Sequence, residues 1–467
     1  MPTLILSVSG ARGIVGDGLD EGVVRRLTTA FALTVRPRRI VLGRDSRPSG
    51  RLLGAAAAVA LEAAGCRVVD LGIVPTPTVQ VAVETHRADG GIVVTASHNP
   101  LPWNALKFIG AEGTFLGAET VARLIETFHG LPPSAVLPHE PAAAPASAIG
   151  AVRTAAGEAA ITDHVDRIAR VVDGAAVERA GTHVVVDAVR GAGALLIGPL
   201  LARLGATVDW IDGEPDGRLP EHPEPRAERL HPLLDRVRSC GAALGFALDP
   251  DGDRCAVVTA EQVLGEEWSL PLAAWSRLRG GDRGPLVANL STSSRIEWVA
   301  ERFGVTVHRT PVGEAHVVAA MRRVGAILGG EGNGGVIDPA VHLGRDAGVA
   351  IARLLDLEVT GPGRRGGVAD AARAFPPRVL LKRALSMEGE GLGAWVARLR
   401  RLWGEPSGTE DGWRWSWSGS WVHLRLSGTE PIVRLFAEGT TEQEARAILG
   451  AAEGEARVTH EAGDPPA

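Results

Sequence analysis

The sequence predicts an α/β fold: three related domains in tandem, followed by a smaller segment of different build. Three observations carry this. One pattern recurs three times, as an apolar strand, a polar turn, a helix, a glycine stop and a second strand. It runs from Ile40–Gly43 to Val68–Leu71, from Val184–Asp187 to Val208, and from Leu286–Asn289 to Val307. Each copy reads as one βαβ crossover. The chain, at 467 residues, is too long for one core and suits three or four domains. After about Phe375 the pattern changes, and Trp413, Trp415 and Trp417 alternate with polar residues along a strand.

In the first domain Leu4–Val8 reads as a strand. Ser9-Gly10-Ala11-Arg12-Gly13 follows as a glycine-rich turn. It either aims Arg12 at an anion or is an ordinary loop with a solvated arginine. A helix is expected over Arg25–Val35. Ile40–Gly43 is a strand, and Arg44–Ser49 connects it to an alanine-rich helix reaching Ala64, with Gly65 as its stop. Val68–Leu71 is the next strand. Gly90-Gly91 and Ile92–Val94 form a buried strand that Asn99-Pro100 ends, because proline gives a ladder no donor. The Ser97 hydroxyl is thereby held at the carboxyl end of a strand, where open α/β sheets place ligands. His98, Asn99 and, one short loop later, Lys107 stand beside it. A serine set this way can carry a group; a polar turn capping the next element is the plainer alternative. The proline- and alanine-rich run from Leu131 to Ala148 marks the edge of this domain.

The second domain contains Arg190-Gly191-Ala192-Gly193 after a strand, which suggests a dinucleotide fingerprint. Leu196 stands where the third glycine would be, so the stretch reads as a tight turn instead. The apolar strand Leu244–Leu248 runs into Asp249-Pro250-Asp251-Gly252-Asp253-Arg254. Three carboxylates at alternate positions offer hard oxygen ligands suited to Mg²⁺. A solvated acidic turn fits poorly, since clustered like charges after a buried strand repel without a cation. The third domain carries Ile327–Gly335, a glycine-dense loop with one carboxylate, Glu331, and one carboxamide, Asn333. Both suit sugar hydroxyls. Gly361–Gly367 marks the end of this domain.

In the last segment core packing is the first explanation for the alternating tryptophans, and sugar stacking the second. Trp421 is expected to continue their face beyond a glycine turn. Val422–Leu426 then runs into Ser427-Gly428-Thr429-Glu430-Pro431 and on into Ile432–Leu435. Small residues can present hydroxyls and backbone N–H groups to one anion. Arg425 and Arg434 flank the turn, and guanidinium forks match phosphate oxygens.

Composition narrows the function classes. A formal charge of −6 argues against a general nucleic-acid binder. Cys66, Cys240 and Cys255 make neither a metal spacing nor a disulfide framework, which suits a reducing cytoplasm. The first residues lack the basic and apolar regions of a signal peptide, and the apolar stretches are broken by Gly, Pro and Arg. No membrane span is expected.

Taken together, Thr95–Pro100 with Lys107, Asp249–Arg254, Gly330–Gly335 and Arg425–Arg434 resemble, in order, the motifs of the α-D-phosphohexomutase family. The resemblance covers nearly the whole chain. It implies three α/β domains with mixed sheets and a smaller α+β C-terminal domain, around a central cleft. The expected domains are 1–150 with a phosphoserine loop, 151–255 with a metal loop, 256–367 with a sugar-binding loop and 368–467 with a phosphate-binding loop. By this resemblance Ser97 is the phosphoserine and, with Asp249, Asp251 and Asp253, holds one Mg²⁺. Lys107, Arg12 and His98 assist proton and phosphoryl transfer. Arg254, Glu331 and Asn333 contact the substrate, while Arg425, Ser427, Gly428, Thr429 and Arg434 hold its non-reacting phosphate.

Ser427–Pro431 resembles the form found in phosphoglucosamine mutases. This implies conversion of glucosamine 6-phosphate to glucosamine 1-phosphate, with hexose 1,6-bisphosphate as activator and small-molecule sugar phosphates, not nucleic acid or membrane, as partners. The sugar loop departs from that branch: it reads Gly-Glu-Gly-Asn-Gly-Gly and has no histidine. His316, His342 and Arg345 are the nearby candidates to replace it, and a structural role is the plainer reading of each. That departure keeps a broad phosphomannomutase/phosphoglucomutase as the alternative. Two other classes use the same residues: a phosphatase with Ser97 as transient nucleophile, and a non-catalytic sugar-phosphate sensor.

Overall fold

Four sheets follow one another along the chain in this computed structural model, which describes residues 3–7, 10–132, 152–361, 367–386, 391–427 and 432–461. The first sheet runs Ile5–Ser7, Gly10–Val15, Trp103–Gly110, Gly90–Val94, Arg39–Arg44, Arg67–Ile73 in space, with Gly18–Leu19 beside Gly10–Val15. Its last three strands are parallel and the others on this path antiparallel. The second sheet orders Val263–Gly265, Cys255–Thr259, Leu244–Leu248, His183–Asp187 and Thr207–Ile211. The third orders Val307–Thr310, Leu286–Asn289, Leu328–Glu331 and Gly335–Ile337. Both are mixed: parallel βαβ crossovers pass into antiparallel pairings at one edge, two in the second sheet and one in the third. The fourth sheet, Val379–Ser386, Ile432–Gly439, Ser420–Leu426 and Trp413–Trp417, is wholly antiparallel.

Packing divides these sheets into two bodies. One continuous apolar core links the first three, from Val41 and Val93 through Val186 and Phe246 to Leu328 and Leu355. The fourth sheet has its own core, built from Trp395, Leu399, Trp415, Val422, Leu424 and Leu435. Strand ends from all four lobes converge on one cleft.

Several local expectations need correction. Arg12 sits in the strand Gly10–Val15, not in a turn, because Ile5–Ser7 folds back onto it in register Ser7↔Gly10. Val8 and Ser9 lie outside the described residues. The helix expected from Arg25 begins at Glu21: the Asp20 side chain accepts from Val23 N at 2.7 Å and caps it. The Ile327–Gly335 loop is largely a hairpin, Leu328–Glu331 against Gly335–Ile337, which places Glu331 at a strand end. Trp421 does not continue the tryptophan face. It pairs with Ser416, whereas Trp413 and Trp415 pair with Leu424 and Val422, so Trp421 points to the opposite side. There its indole donates to Glu438 at 2.9 Å. Most of the 131–148 run and residues 362–366 also lie outside the described residues.

Candidate active site

The segment after Gly90–Val94 is held from below by charge. The neighbouring strand, Arg39–Arg44, ends in Asp45-Ser46-Arg47. Asp45 and Arg47 are fully buried and paired at 3.1 Å. The Arg47 guanidinium donates to the carbonyls of Ser97 (2.7 Å), Asn99 (2.5 Å), Pro100 (2.9 Å) and Trp103 (3.0 Å). Thr95 donates its hydroxyl to Asp45 at 2.6 Å and accepts from Ser97 N at 2.9 Å. Ser97 itself has φ = 50°, the left-handed region that a non-glycine residue rarely occupies. Its surroundings therefore fix a conformation that the chain alone would not choose.

The Ser97 hydroxyl donates to Asp249 Oδ2 at 2.8 Å. Asp249, Asp251 and Asp253 are all buried, and a ligand oxygen from each lies within 4.8 Å of the others. Lys107 Nζ is 2.6 Å from Asp251 Oδ2 and 3.6 Å from Asp253 Oδ2, and Thr76 also donates to Asp251 at 2.6 Å. Burial, then the two neighbouring carboxylates, push the Asp249 carboxyl well above its ordinary range. Burial acts the same way on Asp251, but Lys107 and the hydrogen bonds from Lys107, Thr76 and Asp249 together outweigh it and the net shift is downward. Asp251 Oδ1 and Asp253 Oδ1 are buried and accept no hydrogen bond. Two orphaned buried oxygens beside a third carboxylate are a poor end state for a protein but a fitting one for a hard divalent cation. Gly191 makes the loop possible, since a Cβ there would lie 2.5 Å from Pro250 O. The turn after His183–Asp187 thus serves close backbone packing, not a dinucleotide.

Above these carboxylates opens a cavity of about 620 Å³. Arg12 lines it and donates to Asn99 Oδ1 at 2.6 Å. The His98 Nδ1 is 3.2 Å from Ser97 Oγ; burial, then Arg254, hold the imidazole well below its usual range, so it stays neutral. Arg254 donates to Glu224 Oε1 at 3.1 Å. On the third sheet, Glu331 accepts from Asn289 Nδ2 at 2.7 Å, Gly313 N at 2.9 Å and Arg345 Nη1 at 2.7 Å, with Asn333 beside it. His316 lines the cavity. His342 does not: it is buried against Asp346, which also binds His164 at 2.7 Å.

The fourth sheet supplies part of the cavity lining. Arg425 and Arg434 are directly opposite each other in the register, and both line the cavity with Ser427. Like charges facing across a ladder are destabilising without a counter-ion. Asp411 supplies one to Arg425 at 3.0 Å. Gly428 and Thr429 lie outside the described residues.

Comparison with known proteins now decides the family. Models of the phosphoglucomutase/phosphomannomutase family match residues 4–131 (alpha/beta/alpha domain I), 162–262 (domain II), 251–365 (domain III) and 404–453 (C-terminal domain). The phosphoglucomutase/phosphomannomutase of Thermococcus kodakarensis is 34% identical, over 94% of this chain and 95% of its own. The chain belongs to the phosphoglucomutase/phosphomannomutase family. A phosphoglucosamine mutase of Salinispora tropica is 32% identical over 92% of each chain. A family member from Burkholderia thailandensis superposes with a TM-score of 0.77 at 25% identity, covering 96% of this chain and 97% of that one. The N-acetylphosphoglucosamine mutase of Aspergillus fumigatus, solved with GlcNAc-6P and magnesium, shares the fold at 16% identity and a TM-score of 0.57, over 98% of this chain and 96% of that one.

This phosphohexomutase is thus an enzyme of the isomerase class. Among the described residues no helix is long and apolar enough to cross a membrane. The described residues expected from sequence to act together do meet in or beneath one cavity. Sequence reasoning missed Asp45, Arg47, Thr76, Glu224 and Glu314. A signal existed for the first pair: Asp45 and Arg47 directly follow a buried strand. Nothing local marks Thr76 or Glu224, which reach the site from the start of the helix Thr76–Thr85 and from a loop after Thr207–Ile211.

Proposed function

We propose that this phosphohexomutase interconverts glucosamine 6-phosphate and glucosamine 1-phosphate through a phosphoserine at Ser97 and a hexose 1,6-bisphosphate. One observation carries the mutase chemistry: Ser97, set on Asp249 after the first sheet, and the Arg425–Arg434 pair of the fourth sheet line the same cavity. A group that reacts at Ser97 while its second phosphate is held by the arginine pair suits a ring that must be read in both orientations.

In the first half-reaction a sugar hydroxyl attacks phosphorus, the bond to Ser97 Oγ breaks, and the hydroxyl proton passes through the site to the freed serine. Lys107 and Arg12 bind the transferring phosphoryl oxygens, and the neutral His98 handles the proton at Ser97 Oγ. Mg²⁺ held by Asp249, Asp251, Asp253 and the Ser97 group would supply charge neutralisation and polarisation of those oxygens. Arg254 binds the substrate beside Glu224. Glu331 and Asn333 read the ring hydroxyls, while Arg425, Ser427, Gly428, Thr429 and Arg434 hold the phosphate that does not react. The bisphosphate then turns end for end, and the second phosphate returns to Ser97. The separate core of the fourth sheet supports a lobe that moves to admit this turn.

The Ser427–Pro431 form, together with Glu331, supports the amino sugar. A second reading, a phosphomannomutase/phosphoglucomutase of broad specificity, is favoured by the Gly330–Gly335 sequence and by the Thermococcus kodakarensis relative. The deciding experiment measures kcat/KM for glucosamine, glucose and mannose phosphates at one activator and Mg²⁺ concentration. Glucosamine phosphate is expected to lead by roughly 10–100-fold. A lead for glucose or mannose phosphate selects the second reading.

A further inference from the structure

Arg345 stands in the connection between the strand Gly335–Ile337 and the helix Ala347–Thr360. Its buried guanidinium is engaged on three sides. Nη2 donates to Asp253 Oδ2 at 2.6 Å, Nη1 to Glu331 Oε2 at 2.7 Å, and Nε to Glu314 Oε2 at 3.1 Å. These carboxylates belong to three separate segments: the loop after Leu244–Leu248, the hairpin of the third sheet, and the start of the helix Glu314–Val324.

Charge balance alone does not explain this arrangement. Asp253 already has Lys107 Nζ at 3.6 Å and Arg254 Nε at 3.6 Å. What Arg345 adds is direction. It engages Asp253 Oδ2 and leaves Oδ1 as the buried oxygen with no hydrogen bond. A planar fork can hold two carboxylates at fixed angles, which a lysine cannot. The hairpin is cut to fit: a Cβ at Gly335 would lie 2.2 Å from Arg345 Cδ. Any side chain at 335 would displace the arginine.

We propose that Arg345 is the positioning residue that ties the metal loop to the sugar hairpin, orienting Asp253 for Mg²⁺ and Glu331 for the sugar ring with one guanidinium. This rests on the mutase reading above. The geometry makes Gly335 and Arg345 a matched pair: the arginine stem fills the space that a side chain at 335 would take.

The test uses the full chain, with Mg²⁺ binding followed by calorimetry without sugar and KM followed in turnover assays. Arg345→Lys keeps the charge and loses the fork. It is expected to weaken Mg²⁺ by about 10–100-fold, the usual effect of losing a partner that orients a metal ligand, and to raise KM in the same variant. Gly335→Ala should move both constants the same way, by displacing the arginine without replacing a charged residue. Glu331→Gln should raise KM and leave Mg²⁺ affinity alone. A purely structural arginine would lower the melting temperature and change neither constant. Wild-type Mg²⁺ affinity in both Arg345→Lys and Gly335→Ala overturns the inference. If the wild-type protein binds no Mg²⁺, or Asp251→Asn binds it equally well, the metal assignment fails and the inference falls with it.

Discussion

Replacing Arg47 with methionine tests whether buried charge sets the Ser97 loop. The Asp45–Arg47 pair is fully shielded from solvent, so removing one partner strands the other. Breaking such a pair costs about 3–5 kcal/mol. The carbonyls of Ser97 and Asn99 also lose donors at 2.7 and 2.5 Å, each worth about 1–3 kcal/mol where water cannot enter. These losses do not add, because the loop relaxes once released. We expect a net loss of about 4 kcal/mol in urea unfolding, dominated by the stranded Asp45 carboxylate. Adding Asp45→Asn should recover much of it, since an amide needs no counter-charge. Activity supplies the second readout. With Arg47 gone, Ser97 should leave its left-handed conformation and kcat should fall more than KM changes. A stability loss below about 1 kcal/mol, the range of an exposed ion pair, or an equal loss in the double variant, would refute the reasoning.

Three other perturbations probe different walls of the site and the core behind it. Asp251→Asn removes one charge from the three-carboxylate set and leaves Lys107 less firmly held; Mg²⁺ titrations should shift to higher concentration and kcat should fall at saturating sugar phosphate. Arg425→Ala should mainly raise KM, by the equivalent of about 1.5–3 kcal/mol, because it holds a phosphate that does not react; an unchanged KM for every hexose phosphate would move the distal pocket elsewhere. Asp187 gives a pH test. Burial, partly offset by Val189 N, raises its folded pKa to about 6 from an ordinary 3.8. The folded state therefore holds the proton more tightly, and its contribution is full below about pH 4 and lost as pH rises through 6, by up to about 3 kcal/mol. Asp187→Asn should remove that slope in unfolding measurements between pH 4 and 7, and a slope that persists in the variant would assign it to another group.

The sequence made legible what is local and periodic. Val184–Asp187 and Leu286–Asn289 announce strands by their apolar runs, and Gly205 and Gly304 announce helix ends by their left-handed conformation. The acidic spacing of Asp249–Asp253 is legible because three like charges need a reason. What stayed hidden depends on register and on distance along the chain. Arg12 looked like a turn residue because two glycines flank it, yet a hairpin partner made that stretch a strand. Trp421 changed faces because a two-residue turn reset the alternation. Thr76 reaches Asp251 across 175 positions, and Glu224 reaches Arg254 across 30, separations that no local pattern encodes. Arg345 could be named but not placed, since its meaning lies in three carboxylates from three segments.

The central claim is that turnover runs through a phosphate on Ser97. The most direct measurement is peptide-resolved mass spectrometry of the full chain after incubation with hexose 1,6-bisphosphate, paired with mutase turnover for wild type and Ser97→Ala. The account expects one phosphate on the peptide containing Ser97, its absence in the variant, and a loss of turnover of at least roughly a thousandfold once the covalent route is gone. Phosphate on another residue, or a Ser97→Ala enzyme that keeps more than about a tenth of wild-type turnover, would contradict it.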